Sequence, residues 1–421
     1  MTRILATAAL ALLVTAADAR AAARLTYELS SGPTAIEWPP GAFPLPVTIG
    51  RSATQNLPAG EELIRRAFDS WEGRQGSRVA FRHEGLTDAR AGQDGVNVVT
   101  TNDELYQVSG FLAFTTTWFD DQTGHLLEAD IQIDASATKE GIGLQTLVEH
   151  EIGHLLGFDH SGVVSSIMYP WVGSENLPGL DSDDQVLLAS VYPNGAGKSG
   201  LGTLRGSVSL PGGGVMGAHV VAVDSNGSPV AGTLSGADGS FEIAGLPAGA
   251  YRIYAEPLDG PVQATNLSGV WRGAVTSFRT EFGRPVEVRD GQITDRVEVR
   301  VFDLPNELNP RWIGAFEVSS PEVRLSSTAL TVRAGTTMEI AIGGEGVIGG
   351  LTEFEVLNPG FERISEFNYA TNYLWARYRI APGAPAGSVV ILARNGEETA
   401  TLTGALRVDA SPGGRQRLAR R

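Results

Sequence analysis

Leu63, Ile64, Ala67, Phe68 and Trp71 recur three and four positions apart, a spacing that predicts a helix over Glu61–Trp71 with one core-facing stripe. Around it the pattern shortens to β-rich runs. Pro46–Ile49, Val79–Arg82, Val96–Thr100, Gly110–Thr115 and Leu126–Ile133 read as strands. A second helix is expected over Leu144–Leu156. A third starts at Asp181 and Ser182, both good N-caps, with Asp183 and Asp184 in its first turn. It stops at Val191-Tyr192-Pro193, because proline cannot continue a helix. Asn194–Gly200 is a glycine-rich linker, and after it helical spacing disappears. Thr203–Leu210, His219–Asp224, Gly239–Ile243 and Tyr251–Glu256 read as strands separated by Asn-Gly, Asp-Gly and Pro-Ala-Gly turns. His219 is an isolated strand residue with no partner signature, so a structural role is expected. A last stretch, about Val318–Val408, repeats the alternation with turns at Ala334–Thr336, Ile342–Gly346 and Ala384–Gly387.

Composition refines this picture in three ways. A length of 421 residues suggests about three domains, and 42% hydrophobic against 19% charged residues is globular material. The net charge of −16 argues against a nucleic-acid binder, which would present a basic surface. Cysteine is absent, so there are no disulfides and no lipid-modified cysteine. The N-terminus carries Arg3, an apolar run from Ile4 to Ala16 and the small-x-small site Ala17-Asp18-Ala19, the layout of a signal peptide over residues 1–19. Cleavage after Ala19 is the first choice, with Ala21 and Ala23 as alternatives. The run is too short to span a bilayer comfortably, so the expected location is secreted, extracellular or periplasmic.

The chemistry concentrates in His150-Glu-Ile-Gly-His-Leu-Leu-Gly-Phe-Asp-His160. On a helix, residues four apart sit about 40° from eclipsed, so His150 and His154 project from one face toward one point. Gly157 suits the left-handed residue that ends such a helix and returns the chain, bringing His160 round as a third ligand. Three neutral imidazoles leave a fourth position open, the arrangement of a catalytic Zn2+ site rather than a structural one. Glu151 stands beside them as a general base. A bare HExxH motif arises by chance on amphipathic helices. Here five positions are fixed and three of the chain's six histidines sit among them, which an accidental grouping explains poorly.

Ser166-Ile167-Met168-Tyr169-Pro170 follows, with Met168 eight residues after His160. From His150 to Pro170 the chain resembles the catalytic segment of the matrixins, a metzincin branch of zinc metalloproteases. The resemblance implies an α+β catalytic domain over residues 45–193, a twisted mixed sheet with an active-site helix. It implies Zn2+ on His150, His154 and His160, with Glu151 as the catalytic general base acting on metal-activated water. It also implies an apolar floor at Met168, the Met-turn. Gly110–Thr115 resembles the family's edge strand that pairs with extended substrate, making Leu112 and Ala113 candidate substrate-binding residues; an internal strand is the other reading. Pro170, Trp171 and Val172 occupy the place of the specificity-pocket wall, with Trp171 open between pocket and plain core. Asp120, Asp121, Asp130 and Asp134 are candidate Ca2+ ligands by the same resemblance, or a solvated acidic loop. Only His83 and His125 lie upstream for the family's structural zinc, so that zinc is expected to be absent. Residues 20–44 are either a short pro-segment or an N-terminal arm.

Ala237–Tyr251 resembles the carboxypeptidase regulatory-like, prealbumin-type β-sandwich, which implies a non-catalytic module over residues 202–303. Residues 318–408 look like an immunoglobulin-like sandwich. The predicted architecture is therefore multidomain: a metzincin domain, a linker at 194–201, two all-β sandwiches and a basic tail at 409–421. The expected activity is a secreted zinc metalloendopeptidase cleaving protein or peptide substrates, with surface or matrix partners held by the sandwiches. The alternative is a non-catalytic binding or structural envelope or matrix protein using the zinc fold as scaffold. Because every proposed catalytic residue precedes the linker, a chain ending near Pro193 is expected to cleave small peptides by itself.

Overall fold

The computed structural model describes residues 24–101, 111–136, 143–173, 179–195, 200–274, 277–302, 307–318 and 325–409. The proposed signal peptide, Gly110, linker residues 196–199 and the basic tail beyond Asp409 lie outside them. Among the described residues no helix is long and apolar enough to cross a membrane.

The first unit opens with a hairpin, β1 (Thr26–Leu29) and β2 (Gly32–Ala35), followed by β3 (Leu45–Gly50), α1 (Arg51–Asn56) and α2 (Gly60–Trp71). Then come β4 (Phe81–Thr87), β5 (Val98–Thr101), β6 (Ala113–Phe119), β7 (Leu126–Ile133), α3 (Leu144–Leu155) and α4 (Ser182–Val191). The sheet order is β4-β3-β5-β7-β6, parallel throughout except for β6, which runs antiparallel to β7 and forms an edge. The stripe of α2 is buried as its spacing predicts, and Trp71 Nε1 donates to the Glu149 carbonyl of α3 at 3.0 Å, fastening one helix to the other. Residues 24–44 pack against this unit. Ile36 and Trp38 lie in its core, and Trp38 Nε1 donates to the Leu155 carbonyl at 2.8 Å.

Several boundaries differ from the sequence reading. The strand expected at Gly110–Thr115 is Ala113–Phe119, and that expected at Val79–Arg82 is Phe81–Thr87. The β1–β2 hairpin and α1 were not anticipated, since four to six residues are too few to establish a period.

The second unit comprises β8 (Leu201–Leu210), β9 (Gly213–Gly214), β10 (His219–Asp224), β11 (Pro229–Leu234), β12 (Ser240–Pro247), β13 (Gly249–Glu256), β14 (Glu281–Phe282), β15 (Val286–Val288) and β16 (Ile293–Arg300). They form two sheets, β11-β10-β13-β14 with β15 beside β13, and β12-β8-β16 with β9 beside β8. Leu204, Val220, Phe241, Ile253 and Val299 close the core between them. Val186 of α4 belongs to this same core, so the first and second units share buried surface.

In the third unit one sheet orders Leu325–Ser326, Asn309–Glu317, Thr337–Glu345, Tyr373–Ile380 and Phe361–Arg363; the other orders Leu330–Arg333, Glu398–Asp409, Gly387–Asn395 and Thr352–Val356. Ile342–Gly346, read as a turn, instead continues the strand to Glu345. Gly344 serves close approach, since a β-carbon there would fall 2.2 Å from the Asn309 carbonyl oxygen, while Gly346, at φ +67°, turns the chain after the strand.

Candidate metal centre

α3 carries His150 and His154 on the face turned toward the Met-turn loop. Past its end, Gly157 adopts φ +84°, and a β-carbon there would also meet the Ile36 carbonyl oxygen at 2.5 Å. Both the turn and the arm therefore require glycine, and the reversal returns His160 to the other two rings. Ring centroids lie 4.8, 5.2 and 4.9 Å apart, and one nitrogen from each ring lies within 4.8 Å of the others.

Each ring is aimed by a main-chain carbonyl. His150 Nδ1 is 2.7 Å from the Ile167 oxygen and His154 Nδ1 is 2.8 Å from that of Phe158. His160 Nδ1 pairs with the Asn266 oxygen of the second unit. A carbonyl only accepts, so every Nδ1 must carry the proton and every Nε2 keeps its lone pair. Burial, reinforced by the adjoining His160, holds His150 down at about 3, and burial also keeps His154 well below its usual range. This is a neutral, converging nitrogen donor set, which fits zinc. His150 is buried, and His154 and His160 are half-buried.

Glu151 is buried beside the trio, and burial pushes its carboxyl up to about 7. Thr115 of β6 donates its hydroxyl to Glu151 Oε2 at 2.6 Å. The sequence reading missed Thr115, whose only signal was its place in the strand.

Met168 is fully buried, with its sulfur against α3; a β-carbon at Gly153 would fall 2.0 Å from that sulfur. Gly153→Ala is accordingly expected to displace the Met-turn and to cost about 1–3 kcal/mol, the usual cost of overpacking. A thermal melt would record the loss. The turn is held from α4. Asp184 accepts from Ser166 Oγ at 2.5 Å and from the Ile167 amide at 2.9 Å, while Asp183 accepts from Ser161 Oγ and from the Gly232 amide, both at 2.7 Å. Asp181 and Asp184 also form a capping box, so Asp184, read as a first-turn residue, both closes the helix end and ties the Met-turn to it.

The remaining candidates divide. Leu112 is half-buried against the core and Ala113 is buried at the start of the edge strand. Val172 packs on the core, Pro170 is half-buried, and Trp171 is 51% exposed, so plain core is not its place. The tyrosine between Met168 and Pro170 donates its hydroxyl to the Ser327 carbonyl of the third unit at 2.8 Å. The four aspartates do not converge. Asp130 accepts from the Gly92 and Val98 amides at 2.8 and 3.0 Å, Asp120 from Gln122 and Thr123, and Asp134 from Ser136. Asp130 fastens the segment 92–98 to β7, Asp120 and Asp134 brace their own turns, and calcium finds no support in this arrangement; among the described residues only the histidine trio gathers as a metal-holding group. His219 also has a partner that the sequence did not reveal. The register sets Glu256 opposite it, and Nδ1 lies 2.6 Å from Glu256 Oε1.

The matrixin family profile (Peptidase_M10) matches residues 51–193. Those residues form a matrixin domain. Over 69 residues the chain is 42% identical to karilysin of Tannerella forsythia, a stretch covering 16% of this chain and 14% of karilysin. The chain thus matches only a small part of that relative's length. Among solved structures, the major pilin subunit BcpA of Bacillus cereus overlaps 48% of this chain and 66% of its own, at 14% identity and a TM-score of 0.19. The TIE protein of Bacillus anthracis overlaps 50% and 33%, at 12% identity and a TM-score of 0.18. Superpositions this loose identify no shared function. Matrixins are zinc enzymes, and the matrixin domain here sets three histidines for a metal.

Proposed function

We propose that this chain is a secreted zinc metalloendopeptidase that hydrolyses peptide bonds of protein substrates. The observation that carries the proposal is the convergence of three carbonyl-aimed imidazoles next to a buried carboxylate. Held by His150, His154 and His160, zinc would polarise the scissile carbonyl and acidify water. Glu151 would take a proton from the attacking water and deliver it to the leaving amine. A carboxyl raised to about 7 is well matched to both halves of that transfer near neutral pH. The Thr115 hydroxyl fixes which lobe of Glu151 faces the reaction. Burial of Glu151 also weighs against a purely structural protein, because an unused buried carboxylate is costly.

Among the described residues the edge strand β6 pairs only with β7, which would leave its outer backbone groups available to an extended substrate strand. Leu112, Ala113, Pro170, Trp171 and Val172 would line the subsite beyond the scissile bond. An aliphatic side chain such as Leu gains roughly 1.5–3 kcal/mol on full burial, enough for about tenfold preference. Trp171→Ala is expected to shift selection there toward bulkier residues, read from a cleavage profile on a peptide library. The β units would hold the enzyme against a matrix, envelope or protein surface.

The whole reading is tested by metal analysis of the purified chain together with peptide hydrolysis before and after chelation. One zinc per chain and hydrolysis abolished by a chelator are expected. A chain that holds no zinc, or cleaves equally well without it, would refute the proposal.

A further inference from the structure

We infer that the second unit is a working part of the metal centre: its loop Asp259–Gly273 positions His160 through the Asn266 carbonyl, so the site is incomplete in a chain that stops at the linker. This rests on the zinc reading above and goes beyond it. His150 and His154 are aimed by carbonyls of the matrixin domain itself, those of Ile167 and Phe158. His160 alone is aimed by a carbonyl 106 residues away, on another unit. A chain ending near Pro193 would keep every proposed catalytic residue but would lack this contact.

The loop is closed on itself at Asn266 and seated on the rest of the chain at three further residues. Asn266 closes a short 3-10 turn over Ala264–Asn266, its side chain accepting from the Gln263 amide at 2.9 Å. Next, Leu267 is buried with Val164, Tyr169, Leu258 and Val262, an apolar cluster that includes residues on both sides of Met168. The Ser268 amide then donates at 2.8 Å to Asp159, whose other oxygen accepts from the His160 amide at 2.8 Å. Finally Gly269, at φ +54°, lies so close to β1 that a β-carbon would fall 1.8 Å from the Thr26 carbonyl oxygen. Buried donors and acceptors with partners at this spacing hold a loop in one place.

The physical consequence concerns the tautomer. With the Asn266 oxygen on Nδ1, the ring must present Nε2 to the metal. Without it, Nδ1 exchanges with water, either nitrogen can carry the proton, and the ring is free to rotate. Groups in this outer position typically govern 10–100-fold in metal affinity. Asn266 is therefore a positioning residue acting through its main chain, and the second unit is more than a tether.

The test uses the full chain. Gly269→Ala should lift the loop from β1, and Asn266→Gly should loosen its turn without adding bulk. Gly273→Ala, where a β-carbon would meet nothing within 4 Å, is the control on the same loop. Zinc affinity is measured by chelator competition, and ligand geometry by the visible absorption of the cobalt-substituted protein. Zinc affinity about 10–100-fold weaker, with a shifted cobalt band, is expected for Gly269→Ala. A smaller change of the same sign is expected for Asn266→Gly, and none for Gly273→Ala. Should Gly269→Ala fail to fold, Asn266→Gly reads the same two quantities. Wild-type affinity and an unchanged cobalt band in the folded variants would overturn the inference while leaving the metalloprotein reading intact. A wild-type chain that binds no zinc would overturn both.

Discussion

Glu151→Ala is expected to lower peptide hydrolysis at least ~10²-fold while zinc content and melting behaviour stay close to wild type. The separation follows from where the side chain points. Its carboxylate accepts from the Thr115 hydroxyl, and none of the three imidazoles is aimed through it. Removing the carboxylate takes away the group that holds and moves the proton, and it leaves the nitrogen donors in place. Removal of a buried charge also relieves a desolvation cost, so the fold has little to lose. Steady-state hydrolysis of a short peptide, run beside metal analysis of the same sample, checks both halves. Wild-type turnover in the variant would show that another group moves the proton. Thr115→Val should fall between the two, because it leaves the carboxylate present but no longer held by a hydroxyl.

His154→Ala should cost the metal itself. His154 stands between the other two rings, 4.8 Å from His150 and 4.9 Å from His160 by centroid, and is kept neutral by its burial. With two imidazoles remaining, the affinity loss should exceed the ~10–100-fold typical of changes outside the ligand shell. Zinc retained after dialysis and measured by plasma emission should drop from one per chain to a small fraction. Unchanged zinc would remove His154 from the ligand set. The contrast with Gly269→Ala is informative: the ligand variant should lose metal outright, whereas the loop variant should bind it more weakly.

Much of this site was legible before any coordinates, because its parts are local. A helix fixes the angle between His150 and His154, and Gly157 allows the reversal that brings His160 round, so an eleven-residue string determines where the nitrogens converge. The stripe of α2 and the N-caps of α4 were readable for the same reason: each depends on a period or a terminus contained in its own segment. What holds the ligands in aim was not readable. Ile167, Phe158 and Asn266 act through main-chain oxygens, which every residue possesses, so no residue type marks them. Thr115 was hidden in an ordinary strand and Glu256 in another; the packing of β6 on α3 sets the first against Glu151, and strand register sets the second opposite His219. The sequence by itself determined the donor set and the helix that carries it, since those follow from spacing along one segment. Tertiary structure alone decided that a second β unit reaches the third histidine, because a contact across 106 residues depends on how separately folded surfaces pack and leaves no periodic trace in the chain.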